Sequence, residues 1–102
     1  MKISKTTVTS LKKELSKFEK SKTLSAAQQK KLKVTLRKVY KFASTNLNDS
    51  TNLRAKAGLE SLKHMSLFAI DIVDDHEGKV NWVEIVIKII ILILEVLCSL
   101  FC

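Results

Sequence analysis

The sequence predicts an all-α protein of about four helices: three cationic amphipathic helices followed by a very hydrophobic one at the C-terminus. Three observations carry that prediction. The 102 residues include no proline and only two glycines, Gly58 and Gly78, whereas strand-rich folds place these residues at many turns. Apolar side chains recur at helical spacing along most of the chain. Residues 83–102 form an apolar run broken by only three charges, Glu84, Lys88 and Glu95. A chain of this length is one domain, near the lower end of what buries a self-sufficient core.

Taken in order, Thr9 or Ser10 is the expected cap of the first helix, with Leu11, Leu15 and Phe18 on one face and lysines around them. This helix is expected to fade near 21–23. Ser25-Ala-Ala-Gln28 reads as a capping box for a second helix running to about Ser44. Leu32, Leu36, Val39, Tyr40, Ala43 and Leu47 form its apolar stripe. Lys30, Lys31, Lys33, Arg37, Lys38 and Lys41 fall on the opposite side. Residues 45–52 are polar and rich in capping types, so they read as a loop. A third helix then runs to about Asp74, with Leu59, Leu62, Met65, Ala69, Ile72 and Val73 facing one way. Residues 74–79 break it, and the last helix begins at Val80 or Asn81. The chain therefore divides into a basic helical body, 1–79, and a hydrophobic C-terminal helix, 80–102.

The last segment is rich in Ile and Val and invites a strand assignment. Its polar residues favour a helix. At helical spacing Asn81, Glu84, Lys88, Glu95 and Ser99 fall within about 60° of one another. On a strand, Glu95 would lie on the face opposite Glu84 and Lys88.

Charge is distributed unevenly. Residues 1–41 hold thirteen of the eighteen basic residues and two acidic ones, while 42–102 hold five basic and eight acidic, for a net charge of +8. This split points the N-terminal half toward an anionic membrane or another polyanion. A solvated lysine-rich helical face is the plainer explanation. Both cysteines, Cys98 and Cys102, lie in the last five residues, which gives no disulfide framework. They read as small apolar fillers, or as lipid-attachment thiols beside a membrane. The N-terminus lacks the apolar segment of a signal peptide, so a cytosolic start is expected.

Three readings of the C-terminal helix compete. Its length is close to the roughly 20 residues that cross a bilayer's hydrocarbon core. It then acts as a membrane anchor with the lysine-rich body in the cytoplasm, Lys88 snorkelling and Trp82 at the interface. Alternatively, spanning helices gather and turn the stripe of Glu84, Lys88, Glu95 and Ser99 inward, pairing it or lining a wet pore. In layout alone, a small cationic protein with such a helix resembles phage lysis proteins and membrane-permeabilising effectors. In the third reading the helix is the core of a cytoplasmic homo-oligomer that binds an anionic ligand, nucleic acid or a host protein.

Little else in the sequence carries chemistry. Residues 73–84 resemble the later half of an EF-hand calcium loop, with Gly78 at the sharp turn and Asp75, Glu77, Asn81 and Glu84 as ligand candidates. The first ligand position holds Val73. A fourteen-residue loop from Asp71 to Glu84 resembles the S100-type variant instead. An acidic turn between helices accounts for the same residues. His64 and His76 have no nucleophile or carboxylate pair at recognisable spacing, and phosphate loops and HExxH patterns are absent. The expectation is a non-enzymatic protein without a cofactor. It would act by association with an anionic membrane surface, with itself, or with nucleic acid or another anionic ligand through the lysine face.

Overall fold

The computed structural model describes residues 3–19, 25–49, 52–75 and 80–101. Among them only Ile3, Ser4, Ser25 and Asn52 lie outside helices, and there is no strand. The four helices are α1 (Lys5–Glu19), α2 (Ala26–Asp49), α3 (Leu53–Asp75) and α4 (Val80–Phe101). The predicted all-α class and helix number are therefore what the chain adopts.

Local chemistry explains where the helices begin. The Thr7 N–H donates to Ser4 Oγ at 3.3 Å, so Ser4 caps α1, about five residues ahead of the expected Thr9 or Ser10. Ile3 before the cap and Val8 after it are both buried, the arrangement of a hydrophobic staple. The capping box of α2 forms as expected. The Ser25 N–H donates to Gln28 Oε1 at 2.9 Å, and the Gln28 N–H returns to Ser25 Oγ at 3.2 Å. Asn52 caps α3, its Oδ1 accepting from the N–H groups of Arg54 and Ala55.

One boundary differs from expectation for a physical reason. The polar segment after Ser44 does not open a loop; α2 continues to Asp49. Leu47 packs against the core, and the Asn46 side chain donates to the Phe42 carbonyl one turn back at 2.8 Å. Tertiary packing of one leucine outweighs the weak helix propensity of its Asn and Thr neighbours.

The helices contact in cyclic order, each touching the two beside it, within an envelope of 39 × 21 × 18 Å. Pairings along the interfaces fix an up-down-up-down bundle. Glu14 meets Lys38 between α1 and α2, Lys33 meets Asp74 between α2 and α3, and Lys12 meets Glu95 between α1 and α4. The Ile3 N–H donates to the Phe101 carbonyl at 3.1 Å, tying the start of α1 to the end of α4. The core is built from the expected stripes, with Leu11 and Leu15 of α1, Leu32, Leu36, Val39 and Ala43 of α2, and Leu59, Leu62, Ala69, Ile72 and Val73 of α3. Tyr40, Phe18, Leu47 and Met65 are only partly buried.

The fourth helix supplies the rest of the core through Val83, Val86, Ile87, Ile90, Leu94 and Leu97. No helix among the described residues is long and apolar enough to cross a membrane. Every eighteen-residue stretch of α4 contains Glu84, Lys88 and Glu95. The expected transmembrane helix is corrected accordingly: α4 lies against α1 and α3 as one wall of the bundle. Its approach to α3 is close at Gly58, where a Cβ would lie 2.8 Å from Leu97 Cδ2. A residue without a side chain there lets the two helices meet.

Candidate interaction surfaces

Two faces on opposite sides of the bundle stand out. The first is cationic. Among the described helices, α1 and α2 carry ten basic and three acidic residues, against four basic and six acidic on α3 and α4. Of the six α2 cations singled out from the sequence, the structure divides four from two. Lys33 and Lys38 lie at the flanks and are held by Asp74 at 2.6 Å and Glu14 at 3.3 Å. Lys30, Lys31, Arg37 and Lys41 are exposed and have no ion-pair partner among the described residues. Lys30, Arg37 and Lys41 follow one another at helical spacing on a single outer stripe, with exposed Val34 between them. Exposed Lys5, Lys13 and Lys17 extend the charge over α1.

Between α1 and α2 lies a groove of about 370 Å³ lined by Thr6, Thr7, Ser10, Glu14, Lys38 and Phe42 among others. Its one acid, Glu14, gives Oε1 to Lys38, while the buried Oε2 has no hydrogen-bond partner among the described residues. Glu14 and Lys38 balance each other's charge in the groove. Cations without an ion-pair partner among the described residues lie instead on the open ridge of α2.

The second face belongs to α4. Around its axis the helix has three sectors. The core sector is buried, and a polar edge holds Glu84, Lys88, Glu95 and Ser99, the stripe expected from the sequence. Within the chain, two of these side chains pair with each other and a third pairs with α1. Lys88 bridges to Glu84 one turn back at 3.1 Å, Glu95 bridges to Lys12 of α1 at 3.5 Å, and Ser99 is exposed. The third sector was not anticipated. Ile85, Ile89, Leu92, Val96 and Leu100 run along the outside with 39–61% of their surface accessible. Their spacing of four, three, four and four was the available signal. It was masked because nearly every α4 position is apolar.

This outer stripe continues onto α3. With the two helices antiparallel and Gly58 against Leu97, Phe68 lies level with Ile87 and on the α4 side of α3. It is about half exposed. On the other flank of α3, Lys63 sits 5.7 Å from the Tyr40 ring centroid of α2, a cation–π contact that turns that side inward.

The calcium-loop candidates fall largely outside the described residues: Glu77 and the side chains of Asp75 and Asn81 lie there. Glu84, the fourth, is described and engages Lys88. Among the described residues no group of three or more His, Cys, Asp or Glu side chains is placed to hold a metal ion. Cys98 is partly buried against the core, as an apolar filler would be, and is disulfide-bonded rather than a thiol open to lipid attachment; Cys102 lies outside the described residues. His64 is exposed on α3, and His76 lies outside the described residues. Compared with known proteins, the chain matches no family model, no curated protein and no solved structure.

Proposed function

We propose that this chain is a non-enzymatic helical module that docks peripherally on an anionic lipid surface through the outer ridge of α2. The observation that carries the reading is the set of four exposed cations, Lys30, Lys31, Arg37 and Lys41, with no acidic partner among the described residues. The bundle's acids are used elsewhere: Asp74 and Glu14 engage the flanking Lys33 and Lys38. A basic residue close to an anionic leaflet contributes about 1 kcal/mol. Four together give about 4 kcal/mol, a millimolar-class affinity for one copy. Val34, 46% exposed among these cations, adds an apolar contact that suits an interfacial layer better than a phosphate backbone.

Docking of this kind is peripheral. It differs from the anchored layout the sequence suggested, because α4 contributes its core sector to the bundle rather than to lipid. The test compares binding to phosphatidylserine-containing vesicles, to pure phosphatidylcholine vesicles and to duplex or single-stranded nucleic acid. Retention on nucleic acid with none on anionic vesicles would replace the lipid surface by a phosphate backbone as the partner.

A further inference from the structure

The outer face of α4 is unpartnered among the described residues, and its pattern says what covers it. We propose that it pairs with the same face of a second copy, the two α4 helices running antiparallel about a two-fold axis near Leu92.

The argument begins with symmetry. A two-fold interface requires one patch to be complementary to itself. The stripe from Ile85 to Leu100 has its midpoint between Leu92 and Ile93. Antiparallel pairing about that point sets Ile85 against Leu100 of the second copy and Ile89 against its Val96, while the two Leu92 side chains meet near the axis. Each position receives a β-branched or leucine side chain of matching size.

Charge then selects the direction. In an antiparallel pair the two-fold axis is perpendicular to both helices, so the polar edges of the two copies lie on the same side of the contact. Lys88 is level with residue 97 of the second copy, two residues from that copy's Glu95, or about 3 Å along the axis at helical rise. The reciprocal contact forms at the other end. Both side chains are at least half exposed, 56% for Lys88 and 51% for Glu95, and their present partners, Glu84 and Lys12, leave each of them accessible. In a parallel pair the polar edges would lie on opposite sides, each facing the apolar α3 flank of the other copy. The distribution of charge therefore fits only the antiparallel arrangement.

The patch is also large enough. Phe68 lies on the α3 flank, level with Ile87, and in this pairing reaches the C-terminal turns of the second copy's α4. The six side chains, each about half exposed, offer on the order of 500 Å² per copy. A pair then buries about 1,000 Å², the least that a specific interface clears, and an apolar patch of about 500 Å² on one chain is of the size often used for interaction. A bilayer fits this face less well. Glu84 and Glu95 border the stripe where lipid docking calls for lysines. The cationic ridge of α2 points the opposite way, so one flat membrane cannot engage both faces. Pairing through α4 instead leaves a cationic ridge outward on each side of the dimer.

The test is light scattering and sedimentation of the full chain without detergent, over a range of concentrations. The mass expected is twice the 11.5 kDa of one chain. Leu92→Glu, at a position 59% exposed, should give a folded monomer, with its helicity checked by circular dichroism. Lys88→Glu alone and Glu95→Lys alone should each weaken pairing at least tenfold. An equimolar mixture of those two variants should restore it, because each copy then supplies the charge the other needs. That rescue reports direction even if Leu92→Glu fails to fold. A wild-type monomer at high concentration would overturn the proposal. So would a dimer indifferent to both charge changes, or binding of neutral vesicles by a monomer that is lost in Leu92→Glu.

Discussion

At Gly58 a single missing side chain sets the distance between two helices. Gly58→Ala gains about 1 kcal/mol of helix propensity, but its Cβ meets the tip of Leu97 at 2.8 Å. That tip can rotate away, so the unfolding free energy should stay within about 1 kcal/mol of wild type. Gly58→Val has no such freedom, and overpacking of this kind costs about 1–3 kcal/mol. Urea denaturation of the two variants checks the difference, and equal midpoints would show that α3 and α4 are not closely apposed there. Leu94 lies in the core sector of α4 and is fully buried. Leu94→Ala should cost about 2–5 kcal/mol in the same assay. An unaffected midpoint would mean that α4 does not pack on the bundle. The surface ion pairs contribute little by comparison, at most about 1 kcal/mol each for exposed pairs.

At the scale of the helix, caps and packing divide the work. Ser25→Ala removes both the Oγ acceptor and its share of the capping box, and Asn52→Ala removes the acceptor shared by two N–H groups. Each should lower stability by about 1 kcal/mol, measured by thermal unfolding, and the pair should add because the two caps have no common partner. The α2 box was legible because Ser and Gln at that spacing have a single local use. The Ser4 cap was hidden for the opposite reason: Thr6, Thr7, Thr9 and Ser10 compete as caps, and only burial of Ile3 and Val8 selects among them. The end of α2 was hidden in the same way, since Leu47 was visible in the apolar stripe but the polar residues around it argued for a loop. The α4 helix shows the limit most clearly. Its helical character could be read from the polar edge, yet six inward and five outward aliphatic residues look alike until neighbouring helices define which side is the core.

Across the whole molecule, the antiparallel bundle separates two kinds of surface in space. The core takes one side of every helix; the cations collect on α1 and α2, and most of the exposed large apolar side chains lie on α4, with Leu53, Leu67 and Phe68 on α3 and Val34 on α2. This arrangement explains why composition suggested a membrane protein although no helix among the described residues is long and apolar enough to cross one. The apolar residues of α4 serve two faces at once, an intramolecular core and an outer stripe. Basic charge on the opposite wall is then free to meet an external anion, and its binding should weaken steeply as salt screens it.

Vesicle flotation tests the central claim most directly. The chain, and a variant with Lys30→Gln, Lys31→Gln, Arg37→Gln and Lys41→Gln, would be floated with phosphatidylserine-containing and with pure phosphatidylcholine vesicles. Wild type should float with the anionic vesicles alone and be released as salt rises from about 0.05 to about 0.5 M. At about 1 kcal/mol per cation, the fourfold variant should lose roughly a thousandfold in affinity while staying folded. Equal flotation of the two proteins, or binding to neutral vesicles that ignores salt, would contradict docking through the α2 ridge.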